Sequence, residues 1–220
     1  MIFAVANPEV AAALPGLPVW LELTAMGVSG FFGGVLAASR NTPAFGIVIG
    51  GLVVGLGGGV IRDVMLNVMP AAIAQWYLIP AVGLAALLGG LCSGVIEKSR
   101  NSVVVLQALS LGLLVVIGCE KATDFHVSSW AVVAMGMITA SAGGAMLDAL
   151  SGMRAALLSQ GHLHLTTLAA GAVAFVGLDH SMSTLAAEIC TVALVVALRI
   201  LSLRHGWSCP ELPKAASTDS

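Results

Sequence analysis

The chain has 220 residues, of which 58% are hydrophobic and only 9% charged. A soluble domain carries about 25% charged residues, so this composition excludes a soluble globule and implies an integral membrane protein. The formal net charge of −2 gives no basis for a nucleic-acid partner.

Residues 1–18 lack the basic region of a signal peptide and read as an external tail. Seven apolar segments follow, at about 19–39, 44–69, 77–96, 102–119, 129–153, 163–178 and 183–203. Each approaches the roughly 20 residues that a spanning helix needs, the sixth being the shortest. Long unbroken apolar runs argue against a barrel, whose strands would alternate. The expected fold is therefore an all-α membrane protein with seven transmembrane helices. Trp20, Trp76, Tyr77 and Trp130 begin apolar segments, as interfacial anchors do.

Basic residues set the orientation. Arg40, Lys98, Arg100, Arg154, Arg204 and Lys214 fall on one side if the segments alternate; Lys121 falls on the other. The richer side is expected to be cytoplasmic, with the N-terminus outside and the polar tail 205–220 inside. The four cysteines show no metal-ligand or redox spacing and read as packing residues. His162 and His164 form a lone pair without a third ligand. Neither a metal nor a cofactor is expected.

The pattern repeats. "GVLAASR" (Gly34–Arg40) aligns with "VVIGCEK" (Val115–Lys121), "GGGVIRD" (Gly57–Asp63) with "AGGAMLD" (Ala142–Asp148), and "WYLIPAVG" (Trp76–Gly83) with "LHLTTLAA" (Leu163–Ala170); the offsets are 81, 85 and 87. Residues 19–100 and 101–180 are thus two three-helix repeats, and 181–204 an added seventh helix. Three is odd, so the second repeat enters the membrane inverted, an architecture used for solute and ion pathways.

Most GxxxG spacings here suit helix packing. A consecutive triplet, Gly57-Gly58-Gly59, costs a helix about 1 kcal/mol per residue relative to Ala and permits a kink or an unwound turn. Gly143 and Gly144 stand at the matching depth of the fifth segment. Kinks are expected at both places, with freed backbone carbonyls facing protein or water. About one turn further lie Arg62, Asp63 and Asp148. Each charge costs at least ~2.5 kcal/mol in a membrane helix unless paired or wetted. Arg62 and Asp63 are adjacent and so do not share a helix face; Arg62 is expected to reach a broken-helix carbonyl or Asp148. One positive and two negative charges give a net negative constriction, which favours cations.

The doubled repeat with "GGGVIRD" resembles the trimeric intracellular cation channel family, and more closely its bacterial branch, described as uncharacterised membrane proteins with glycine-transporter-like domains. The resemblance runs from about Leu21 to Trp207 and includes "GGVLAASR", "GCEKA" and "LRILSLRHGW". It implies a homotrimer in the bacterial inner membrane with one pore per protomer, bounded by the kinked second and fifth helices. It implies permeability to monovalent cations, chiefly potassium, with sodium also admissible. Carried over, Gly57, Gly58, Gly59, Arg62 and Asp63 line one half and Gly143, Gly144 and Asp148 the other. Two departures stand out: Ala142 replaces a glycine and Leu147 an arginine. The animal members' lipid-binding lysine motif is not visible in the second segment, so membrane lipid is expected as surroundings and not as a phosphoinositide regulator.

Two other classes compete. A secondary carrier for a small neutral solute such as glycine would use the same inverted repeats. An intramembrane enzyme would need Asp63 and Asp148 within hydrogen-bond reach of each other, and the inverted helices carry them toward opposite faces; an enzyme is not expected.

Overall fold

The computed structural model describes residues 18–153 and 164–205. The N-terminal tail, Arg154, His162, Cys209 and Lys214 lie outside the described residues. Among the described residues seven long helices carry the fold: α1 (Val19–Ser39), α2 (Ala44–Met65), α3 (Leu78–Ile96), α4 (Arg100–Asp124), α5 (Ser129–Leu150), α6 (His164–Asp179) and α7 (Thr184–Arg204). A single helical turn, Ala71–Ala74, sits between α2 and α3. Six of the seven are long and apolar enough to cross a membrane. The sixth, α6, is apolar but has 16 residues. The described residues contain no strand.

The helices start and stop where the chemistry of the sequence dictates. Pro18 and Pro43 immediately precede α1 and α2, where proline lacks an N–H that would have no helical partner. Asn41, Asn67 and His126, each with φ between 52° and 58°, follow the ends of α1, α2 and α4; Gly152, at φ 67°, follows α5. A left-handed residue there lets the chain turn back and satisfy the last carbonyls. The ends of α2 and α5 match in detail. Val68 N–H donates to Asp63 O at 2.9 Å, and Met153 N–H donates to Asp148 O at 2.9 Å.

Helices α1, α2 and α3 pack against one another, as do α4, α5 and α6, while α7 lies on α4 and α6. The two trios meet along α1–α4 and α2–α5. Small residues permit the closest contacts. On α3, Leu78, Val82, Ala86 and Gly89 form one buried stripe, spaced three and four residues apart, that faces α1. A Cβ at Gly34 would overlap the Ala86 carbonyl. The rest of α3 turns outward; Leu84, Leu88, Leu91 and Val95 are exposed. Trp20, Trp76 and Trp130 are also exposed.

The expected unwound turns are not formed. Both α2 and α5 are unbroken α-helices through Gly57–Gly59 and Gly143–Gly144. An unwound turn in a membrane leaves carbonyls to be satisfied at several kcal/mol each, more than glycine's weak helix propensity removes. The glycines instead let α2 and α5 touch.

Candidate functional site

The contact between α2 and α5 is reciprocal. A Cβ on Gly58 would overlap the Thr139 carbonyl, and a Cβ on Gly143 would collide with the Val54 carbonyl. Gly58 and Gly143 are counterparts in the aligned repeats, 85 residues apart, and so are Val54 and Thr139. Residue i of one helix therefore meets residue j of the other, and their counterparts meet in turn, as in a two-fold interface. Gly57 also closes on α5: its Cβ would lie 3.1 Å from Met146 Sδ.

The α1–α4 contact follows the same rule. Ser110 Oγ donates to Ser29 Oγ at 2.8 Å, 81 residues away, and Ser29 Oγ donates to Ala25 O at 2.7 Å. The offset of 81 is that of the first aligned motif, so these serines are counterparts in direct contact. The two helices run antiparallel. Arg62 contacts Glu22 near the start of α1 and Ile117 near the end of α4. At the other end, a cavity joins Arg40, just past α1, to Gln107 near the start of α4.

Ion pairs stand at both ends. Arg40 pairs with Asp148 and also donates from Nη1 to Leu147 O at 3.2 Å and to Ser151 Oγ at 2.7 Å. Lys121 Nζ pairs with Asp63 Oδ1 at 2.9 Å. Arg40 and Lys121 are counterparts, and so are Asp148 and Asp63. The cation of each repeat thus holds the aspartate of the other.

The Asp63 end carries more. Arg62 Nε donates to Asp63 Oδ1 at 2.8 Å and Arg62 Nη1 to Ile117 O at 3.1 Å. Asp63 Oδ2 accepts from the Ala71 N–H at 2.9 Å, which ties the short turn to the end of α2. Arg62 Nη2 stands 3.7 Å from Glu22 Oε1, and neither atom has a hydrogen-bond partner. Arg62 and Asp63 are both fully buried.

These contacts correct three expectations. Arg62 does not meet Asp148, which is held by Arg40. Arg62 and Asp63, although adjacent, do pair, because the long arginine side chain swings back across the 100° between successive residues. Arg62 does reach a carbonyl, but that of Ile117 in the intact α4. The local charge also changes. Glu22, Arg40 and Lys121 join Arg62, Asp63 and Asp148 in these contacts, three positive and three negative groups in all. The alignment of Arg40 with Lys121, and of Asp63 with Asp148, already held the signal for these pairs. Glu22 and the serines had none.

The two halves differ in space. A cavity of about 140 Å³ opens beside Arg40 and Asp148, lined also by Phe32, Ser110, Ser141 and Gly144. A Cβ on Gly144 would meet nothing within 4 Å. A Cβ on its counterpart Gly59 would lie 3.0 Å from Met26 Cε and 3.9 Å from Arg62 Nη2, so at that position side chains fill the matching space. Among the described residues no group of three His, Cys, Asp or Glu could hold a metal ion.

Known proteins match this arrangement. The family described as "Glycine transporter" matches twice, over residues 19–92 and 104–180. The inner membrane protein YadS of Escherichia coli K12, a UPF0126 protein, is 29% identical over 140 residues, 61% of this chain and 66% of that one, just under two thirds of its length. A UPF0126 membrane protein of Deinococcus radiodurans is 26% identical over 189 residues, 84% of this chain and 87% of that one. Among solved structures, the trimeric intracellular cation (TRIC) channel orthologue of Rhodobacter sphaeroides superimposes with a TM-score of 0.78 at 26% identity, over 86% of this chain and 98% of that one. Another TRIC cation channel structure gives 0.78 at 22% identity, over 90% and 98%. With its doubled match and its two reciprocally packed helix trios, the chain belongs to the Glycine transporter (UPF0126) family of membrane proteins and has the fold of the TRIC channels.

Proposed function

We propose that this protein is a passive monovalent-cation channel, permeable to potassium, with one pore through each protomer of a homotrimer in the bacterial inner membrane. The reading takes residues 19–100 and 101–180 as inverted repeats, each of three spanning helices, with α7 as a seventh span. It puts the N-terminus outside and the C-terminus in the cytoplasm. Its solved relatives are described as cation channels. One observation supports it: the pairs Arg40–Asp148 and Lys121–Asp63 lie at opposite ends of the antiparallel α1–α4 contact, on either side of the Ser29–Ser110 hydrogen bond, and the reading takes the line between them as the pathway axis.

Ion pairs across such an axis work as closures. An unpaired charge in a low-dielectric bundle is costly, so the pairs hold until an incoming cation, water or the membrane potential offers compensation. When a pair separates, its aspartate faces the axis and supplies the negative field that a cation needs. Bending of α2 at Gly57–Gly59 and of α5 at Gly143–Gly144 would provide the movement. Planar-bilayer recording of the purified protein under a KCl gradient is the test. Unitary currents reversing toward the potassium equilibrium potential are expected; no current from well-incorporated protein overturns the reading.

A second reading, a secondary carrier for a small neutral solute such as glycine, has one observation in its favour. The cavity of about 140 Å³ borders both Arg40 and Asp148, which could take the carboxylate and ammonium of a zwitterion. Saturable uptake with counterflow, and no unitary currents, would favour it.

A further inference from the structure

We propose that the Ser29–Ser110 hydroxyl pair is the selectivity-setting waist of the pathway, where a permeating monovalent cation exchanges hydration water for serine oxygens. The inference rests on the channel reading above and specifies where along the axis the ions are discriminated.

Position comes first. Counterpart residues that touch each other lie on the two-fold relating the repeats, which in an inverted repeat crosses the line between the two closures at its middle and does not run along it. Ser29 stands 11 residues before Arg40, and Ser110 stands 11 before Lys121. At 1.5 Å per residue each is about 16 Å from its own closing cation, so the pair is midway between the two closures. Both residues are almost wholly buried, at 0% and 2% exposure. Ser110 nevertheless lines the cavity beside Arg40 and Asp148. Its hydroxyl is therefore within reach of a hydrated ion that has entered past Arg40.

The hydrogen-bond directions suit a cation. The Ser110 proton is committed to Ser29, and the Ser29 proton to the Ala25 carbonyl. Neither serine has a free proton to present to the cavity. Ser110 keeps two lone pairs and Ser29 one. Backbone carbonyls, the usual neutral ligands of a filter, remain in their helices because α2 and α5 are unbroken. Thr139 Oγ1, the nearby hydroxyl on α5, likewise donates to its own helix, at Met135 O.

A pair of neutral oxygens has chemical consequences. Without a formal charge at the waist, hydroxyls replace water poorly around small, strongly hydrated ions and better around large, weakly hydrated ones. The expected permeability order is rubidium and potassium first, then sodium, then lithium.

Bi-ionic reversal potentials test this with wild type, Ser110→Ala, Ser29→Ala, the double alanine variant and Ser110→Thr, each first checked for intact assembly by size-exclusion chromatography. Ser110→Ala should lower the potassium-to-lithium permeability ratio about fivefold, the scale of one lost oxygen contact. Ser29→Ala should move it the same way, and the double variant by less than the product, because the two act as a unit. Ser110→Thr, which keeps the hydroxyl, should stay near wild type. Unchanged ratios in both alanine variants, with robust currents, would overturn the waist alone. Absence of unitary current from wild type would overturn the channel reading and the waist with it.

Discussion

The half of the bundle closed by Asp63 and the half closed by Asp148 share a backbone plan and differ in what fills it. Both aspartates sit at a helix end capped by the same backbone bond, and both are held by the cation that ends the first helix of the other trio. At Asp63, however, Arg62 and Met26 occupy the interior beside Gly59. At Asp148 the corresponding residues are Leu147 and Gln107. Leu147 packs with Phe32 and Val54, while Gln107 accepts from Arg199 Nη2 at 3.3 Å, and a cavity remains. Two side-chain differences thus separate a filled half from an open one without altering the helices. In a bundle of this kind backbone symmetry and the symmetry of the interior space are set independently, the first by glycine contacts and the second by a few long side chains.

The largest expected effect comes from the contact both halves share. Gly58→Leu drives a side chain into the Thr139 carbonyl, a backbone atom that cannot step aside, and should abolish stable assembly and flux in reconstituted vesicles. The milder Gly58→Ala and Gly143→Ala should each lower stability in detergent by about 1–3 kcal/mol, followed by thermal unfolding. If only one of the two did so, the reciprocity of the α2–α5 contact would be lost.

Next is the charge that makes the halves unlike. Arg62→Leu gives the Asp63 half the residue its counterpart has. Asp63 retains Lys121 and the Ala71 N–H, but Glu22 loses its cation, so the protein should fold with a loss of about 3–5 kcal/mol. The vacated space should raise unitary conductance. Unchanged conductance with normal incorporation would mean that Arg62 does not obstruct the path.

Asp63→Asn and Asp148→Asn sharpen the comparison further. Either should reduce cation preference, read as reversal potential across a salt gradient. The effect should depend only weakly on salt, because both aspartates are buried and mobile ions screen exposed charges far more than buried ones. Identical potentials in wild type and both variants would make the aspartates structural. Counterpart cysteines at Thr42 and Thr123 in a cysteine-free background should label from opposite sides; labelling from one side breaks the inversion. The smallest effect is expected at Gly144→Ala, which faces open space and should raise stability by at most about 1 kcal/mol, the helix propensity gained.

Much of this was legible in the sequence, for reasons that name its limits. Apolar run length places the helices closely: the fourth segment, drawn over 102–119, extends in the structure to Asp124 because Glu120 and Lys121 are polar residues taken into the helix. The repeat offsets are legible because glycines and aspartates recur at helix depths that packing fixes. Local propensity predicts a break at the triplet Gly57–Gly59, whereas the α-helix continues through it and Gly58 abuts the Thr139 carbonyl, a tertiary contact that propensity does not encode. Arg62–Asp63 was missed because face arguments treat side chains as short. The cavity was beyond reach: it depends on where Gln107 and Leu147 turn relative to Met26 and Arg62, and no periodicity encodes a rotamer.

The reciprocal contacts bear on how such a chain could arise. Ser29 with Ser110, Gly58 with Thr139 and Gly143 with Val54, and the two crossed ion pairs are all matches between a surface and its own copy. A single three-helix ancestor inserted in both orientations could have made every one of them as a homodimer. Fusing two such genes would then demand no new interface, and each copy would be free to mutate singly wherever its side chains face the interior axis. Arg62 opposite Leu147 is a difference of that kind, available only after duplication, since in the ancestor one substitution would have altered both ends at once.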